Sequence, residues 1–200
     1  MDLSVVLVTF LAIFVVELPD KTFIATLVLS TRYRPLLVWI GVGLAFAVQT
    51  IVGVLAGHVA TLLPEELIKG VAAAIFLLGA FLLAKSAPGA DEEESEVEKE
   101  YEGRAVAGKT GLAVVGASFL VLFLAEWGDL SQLLTISLVA RYHAPVEVFI
   151  GAWLALLTVS GLAVLAGRVL LRYLKLSTVH YAGALVCLVL AVVTIVELVA

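Results

Sequence analysis

Long apolar runs separated by short polar breaks dominate the chain. Six such runs are visible, about Leu3 to Thr31, Leu36 to Thr61, Leu67 to Lys85, Leu112 to Ala140, Val146 to Leu171 and Thr178 to Val199. Each is about 20 residues long or longer, the length a helix needs to cross a hydrocarbon core of ~30 Å. Pro35 and Pro145 stand at the starts of the second and fifth runs, and Pro64 with Glu65 and Glu66 precedes the third. Proline and acidic residues suit a first helical turn, where backbone N–H groups have no intrahelical acceptor. The pattern predicts an all-α integral membrane protein with six transmembrane helices. Asp2 stands where a secretion signal would carry basic residues, and no small-residue cleavage site follows, so the first run is expected to stay as a helix.

Composition strengthens this reading. Hydrophobic residues make up 62% of the 200 positions, and the mean hydropathy is +1.15, far above the roughly half-apolar usage of soluble domains. The lone cysteine, Cys187, excludes an intramolecular disulfide. Charge is uneven. The segment from Ala87 to Thr110 carries eight acids against three bases, which accounts for the whole net charge of −5, and the remainder balances nine acids with nine bases. This stretch is expected to be a flexible, solvated linker between residues 1–86 and 111–200.

The two flanking segments repeat one another. An offset of 109 aligns Glu17 with Glu126, Asp20 with Asp129, Thr26 with Thr135, and Arg32-Tyr33 with Arg141-Tyr142. After one inserted residue, Pro35 meets Pro145, Gly41 meets Gly151, and Val54-Leu55-Ala56-Gly57 meets Val164-Leu165-Ala166-Gly167. An odd number of spans per half gives the second half the opposite orientation, which predicts two inverted three-helix repeats with a site at the midplane between them. Both aligned glutamates lie 14 residues into their runs, about 21 Å along a helix, so the two converge on one layer from opposite sides. Nine bases fall on the side of the loops after helices one, three and five, against Lys69 and Arg141 on the other. That bias predicts a cytoplasmic linker and external termini in a prokaryotic plasma membrane.

The candidate chemistry lies in Glu17-Leu18-Pro19-Asp20-Lys21-Thr22 and Glu126-Trp127-Gly128-Asp129-Leu130-Ser131. A charge near the bilayer centre costs from roughly 3 to more than 10 kcal/mol, so intramembrane carboxylates point to an ion or proton path. Glu17, Asp20, Glu126 and Asp129 offer hard oxygen ligands that suit Ca²⁺, Mg²⁺ or Mn²⁺, and the motifs hold none of the thiolates or imidazoles that favour Cu⁺ or Zn²⁺. Burial and mutual repulsion favour protonated carboxyls, which makes protons competitors for the ion. Pro19 removes a helical hydrogen bond, and Gly128 permits a bend at the matching place, so both are expected to break their helices beside the acids. Lys21 is a candidate internal counter-charge. Thr22, Ser131, Gln132 and Gln49 are candidate neutral ligands or path-lining groups.

With these motifs the chain resembles the Gdt family of membrane cation/proton antiporters, whose signature is Glu, a hydrophobic residue, Gly, Asp, Lys or Arg, then Ser or Thr, once in each three-helix half. The resemblance spans nearly the whole chain. It implies transport of Mn²⁺ and Ca²⁺ against protons, with the motif carboxylates at the ion site. Pro19 replaces the signature glycine in the first copy and Leu130 the basic residue in the second, so the copies differ in rigidity and charge.

The leading expectation is a secondary antiporter, not an enzyme, that exports Mn²⁺, with Ca²⁺ a further substrate, in exchange for protons. Its partners are the ions, protons and bilayer, with no cofactor and no nucleic acid. Assembly with further copies of itself stays open. A passive divalent-cation channel would use the same acids without proton coupling. An intramembrane aspartyl protease would use Asp20 and Asp129 but lacks the Gly-x-Gly-Asp form, because Glu126 takes the first position. Gly41, Gly43 and Gly151 are expected at close helix contacts, with Thr50 and Ser160 bridging helices. His58, His143 and His180 are expected as interfacial decoration, and Glu147 and Glu197 as solvated end residues.

Overall fold

The computed structural model describes residues 1–18, 20–90, 96–97, 99–101, 111–125, 127–173 and 176–199. Among them the main elements are α1 (Leu3–Glu17), α2 (Lys21–Arg32), α3 (Pro35–Ala60), α4 (Glu65–Ser86), α5 (Leu112–Ala125), α6 (Leu130–Tyr142), α7 (Pro145–Tyr173) and α8 (Leu176–Val199), with no strand. Helices α3, α4, α7 and α8 are each long and apolar enough to cross a membrane. The other two expected spans are bent pairs, α1 with α2 at 71° and α5 with α6 at 73°. By length and composition the described residues thus hold four to six candidate spanning elements, and the two interrupted ones carry the acidic motifs.

Local chemistry explains the ends. Asp2 caps α1 by accepting from the Ser4 amide and hydroxyl, and Pro35 occupies the first turn of α3. His143 ends α6 in the left-handed region at φ 51°, two residues before Pro145 opens the next helix. Asp20 and Asp129 cap α2 and α6 with nearly the same extended backbone, φ −78°, ψ 169° and φ −72°, ψ 167°. Caps of this kind place a carboxylate at the positive end of a helix dipole.

The core is built on α3 and α7, which pack against each other. The Trp39 indole donates to the Leu157 carbonyl at 3.1 Å, and the Trp153 indole donates to the Gly43 carbonyl at 3.0 Å. These two helices cradle α5 and α1 through matched glycines. Gly41 faces the backbone of α5 at Val115, Ser118 and Phe119, and Gly151 faces α1 at Val6, Thr9 and Phe10. At Gly151 an added Cβ would lie 2.6 Å from the Val6 carbonyl oxygen, a separation only hydrogen allows. The expectation of close packing at these glycines agrees with the geometry. Thr50 and Ser160 do not bridge helices. Each donates to a carbonyl of its own helix, at Phe46 and Leu156, because that acceptor lies one turn back in both cases.

Outside this frame, α4 and α8 form a closely packed pair. The N-terminus lies by Glu147, and Glu197 lies by Arg141, which defines a termini face. Ser86 and His180 mark the opposite ends of α4 and α8, the linker face. The α4–α8 pair leans on α6 and α1, whose far ends reach the termini face. Among the described residues, α4 makes no comparable packing with α5, nor α8 with α2.

Candidate cation site at the helix breaks

Both helix breaks deliver their acids to one place. Glu17, the last residue of α1, is fully buried. Its Oε2 accepts from the Thr22 hydroxyl at 3.2 Å, while Oε1 is buried with no hydrogen-bond partner. Ser131, in the first turn of α6, is also buried. Glu17, Asp20 and Asp129 each offer one oxygen, and the three oxygens lie within 4.8 Å of one another. Oxygens sharing one hard divalent ion at ~2.3–2.6 Å are separated by no more than about 5 Å, so this triplet has the spacing of a ligand set. Glu126 and Pro19 lie outside the described residues.

Asp20 and Asp129 also line a cavity of about 370 Å³. Lys21, Thr22, Ser86 and His180 supply its other polar groups, and Leu82, Leu83 and Leu130 are among its apolar ones. The cavity occupies the gap left where α4 and α8 stand away from α2 and α5. Leu130, where the signature has a basic residue, packs toward Gly79 and Cys187, and a side chain at position 79 would crowd it. The second break therefore presents an apolar surface where the first presents Lys21.

The second break is held by amides. Gly128 adopts φ 82°, a conformation glycine enters without steric cost. Its N–H donates to Gln132 Oε1 at 3.0 Å, and Asp129 accepts from the Ser131 N–H at 3.5 Å. Gln49, from α3, donates to the Phe123 carbonyl at 2.7 Å, satisfying an acceptor that the end of α5 leaves without a helical donor. Gln49 and Gln132 thus secure backbone at the break and do not line the cavity, whereas Lys21 and Thr22 do. A long amide side chain beside a severed helix finds its nearest partners in the freed backbone groups, which the sequence alone did not locate.

Three end residues differ from expectation. His180 lines the cavity, brought there by the lean of α8. Its only sequence signal was its place near the linker-face start of the last apolar run. Glu147 is largely buried and accepts from the Asp2 N–H at 3.4 Å, with the terminal ammonium at 3.9 Å. Glu197 pairs with Arg141 at 2.9 Å. Neither acid is simply solvated, since each has a cationic partner from another element.

The fold and site define an integral membrane protein with carboxylates gathered where two spanning elements break. A profile described as divalent cation/proton antiporter GDT1 matches residues 5–91 and 114–200, and the chain belongs to that family. The family is one of transporters, not enzymes, and its transported species are divalent cations and protons. Protein PAM71, chloroplastic, from Arabidopsis thaliana is 33% identical over 95% of this chain and 56% of its own length. GDT1-like protein sll0615 from Synechocystis is 33% identical over 92% of this chain and 93% of its own length. GDT1-like protein 1, chloroplastic, from Oryza sativa subsp. indica is 31% identical, and the chain spans 61% of its length. No solved structure matches the chain.

Proposed function

We propose that the protein exports Mn²⁺, and Ca²⁺ as a further substrate, in exchange for protons, at a site made by Glu17, Asp20, Glu126 and Asp129. The observation that carries this reading is the convergence of three carboxylate oxygens within 4.8 Å, one of them on a fully buried glutamate with an unpartnered oxygen. Three like charges at this spacing repel strongly in a medium poorer than water in screening. A divalent ion or protons can relieve the repulsion, and either occupant excludes the other. Coupling follows from that exclusion: each release of the metal requires proton uptake, and each loading requires proton loss.

Two inverted three-helix repeats, 1–86 and 111–200, joined by the linker 87–110, are part of this proposal. Its support is the pairing of contacts at aligned positions, Gly41 on α5 and Gly151 on α1, with matching bends of 71° and 73°. Excess bases on the linker side support a cytoplasmic linker face and external termini in a prokaryotic plasma membrane. Lys21 serves as counter-charge in the metal-free site, and Thr22 and Ser131 orient Glu17. Gln49 and Gln132 act through the backbone of the second break.

Inside-out vesicles with an acidified interior provide the test. Added Mn²⁺ is expected to dissipate the pH gradient in step with its uptake, and Glu17→Gln and Asp129→Asn are each expected to abolish both signals. Undiminished exchange by both variants would sink the mechanism. Mn²⁺ uptake that leaves the pH gradient intact would indicate a passive channel instead.

A further inference from the structure

We propose that Arg141 is a gating residue: with Thr194 and Glu197 it latches the termini face shut while the carboxylate cavity stands open toward the linker face. The inference rests on the exchange reading above, and it assigns a role to residues remote from the acidic cluster.

Two independent features carry it. The first is the lean of the α4–α8 pair, which packs on α6 and α1 and makes no comparable contact with α5 or α2 among the described residues. The cavity fills that gap, and Ser86 and His180 line it from the linker-face ends of α4 and α8. The second is the Arg141 side chain. It is only 6% exposed, yet it reaches from α6 to α8, where it donates to the Thr194 hydroxyl, to the Leu190 carbonyl at 3.5 Å and to Glu197 Oε1 at 2.9 Å. Its guanidinium also lies 5.3 Å from the centre of the Tyr142 ring. Glu197 is 48% exposed, so the pair runs from the protein surface into the helix interface.

Among the described residues, the backbones of α6 and α8 make little packing contact with each other. At the termini face the side chain of Arg141 ties them. Opening a path to the termini face requires α8 to part from α1 and α6, and that motion stretches each of these bonds. The latch must therefore release for the site to change sides. A planar guanidinium suits this task, because it engages a carboxylate, a hydroxyl and a carbonyl at once and regains full hydration when they separate. A buried arginine left without its acid is costly, so losing Glu197 weakens the closed arrangement more than the loss of one surface contact would.

The experiment reads the two faces separately. In a Cys187→Ala background reconstituted in vesicles, one reporter is Ser86→Cys, in the cavity. The other is Ala191→Cys, on the α8 surface that is fully buried one residue past Leu190. A membrane-impermeant maleimide is expected to label the first quickly and the second slowly. Adding Glu197→Gln, or Arg141→Gln, is expected to speed labelling at position 191 at least fivefold and to slow it at position 86. The exchanged pair Arg141→Glu with Glu197→Arg is expected to move both rates back toward the starting values. Unchanged rates in the Glu197→Gln variant, whose half-exposed side chain makes misfolding a poor explanation, would overturn the proposal. Labelling does not depend on transport. A chain that never exchanges Mn²⁺ for protons would refute the functional reading while the labelling rates still decide the latch.

Discussion

Substituting alanine at Gly151 tests the packing that positions the first carboxylate. The new Cβ would sit 2.6 Å from the Val6 carbonyl oxygen, 2.9 Å from the Thr9 Cβ and 3.2 Å from the Phe10 amide nitrogen. Ordinary contact begins near 3.4 Å, so α1 and α7 must part by about 0.8 Å. Two of the three obstructing atoms are backbone, and no rotamer change relieves them. Overpacking of this kind costs about 1–3 kcal/mol. The displaced helix ends at Glu17, whose oxygen must stay within 4.8 Å of those of Asp20 and Asp129. Misplacing a reacting group by about 1 Å can cost a hundredfold in rate, and an exchange rate lowered on the order of tenfold or more is expected here. The assay pairs thermal unfolding in detergent with Mn²⁺ exchange in vesicles, and Gly116→Ala is the control. Nothing lies within 4 Å of a Cβ at position 116, so that change is expected to be neutral or stabilising by about 0.5–1 kcal/mol. Gly41→Ala, at the matching contact on α5, is expected to behave like Gly151→Ala. Wild-type unfolding and exchange in both contact variants would refute the account of close helix approach.

Two further changes probe the second break. Gln49→Leu keeps the side chain's bulk but leaves the Phe123 carbonyl without its donor, which is expected to cost about 1–3 kcal/mol of stability and to slow exchange; unchanged melting would show that another group satisfies this carbonyl. Leu130→Lys introduces a second cation into the cavity that holds Lys21, and repulsion between the ammonium and a divalent ion is expected to raise the KM for Mn²⁺ by about tenfold, measured as initial uptake against concentration; an unaltered KM would place the transported ion away from this cavity.

The sequence by itself determined the membrane class, the apolar segments, the duplication and the two acidic motifs. These are legible because a bilayer demands length and hydropathy, and because a buried carboxylate in an apolar run is too costly to arise without purpose. It also marked Gly41 and Gly151 as packing points, since only glycine lets helix backbones approach so closely. Pro19 and Gly128 already marked where the first and fourth apolar runs break, but tertiary structure decided the bend of about 70° and made Asp20 and Asp129 helix caps. It decided that Gln49 and Gln132 bind severed backbone, and that Glu147 and Glu197 find cationic partners from other elements. It also set the lean of α4 and α8, which brings His180 to the cavity. Hydropathy records whether a position faces water or lipid. The partner of a polar group depends on which helices lie beside it, and that is fixed only when the chain closes on itself.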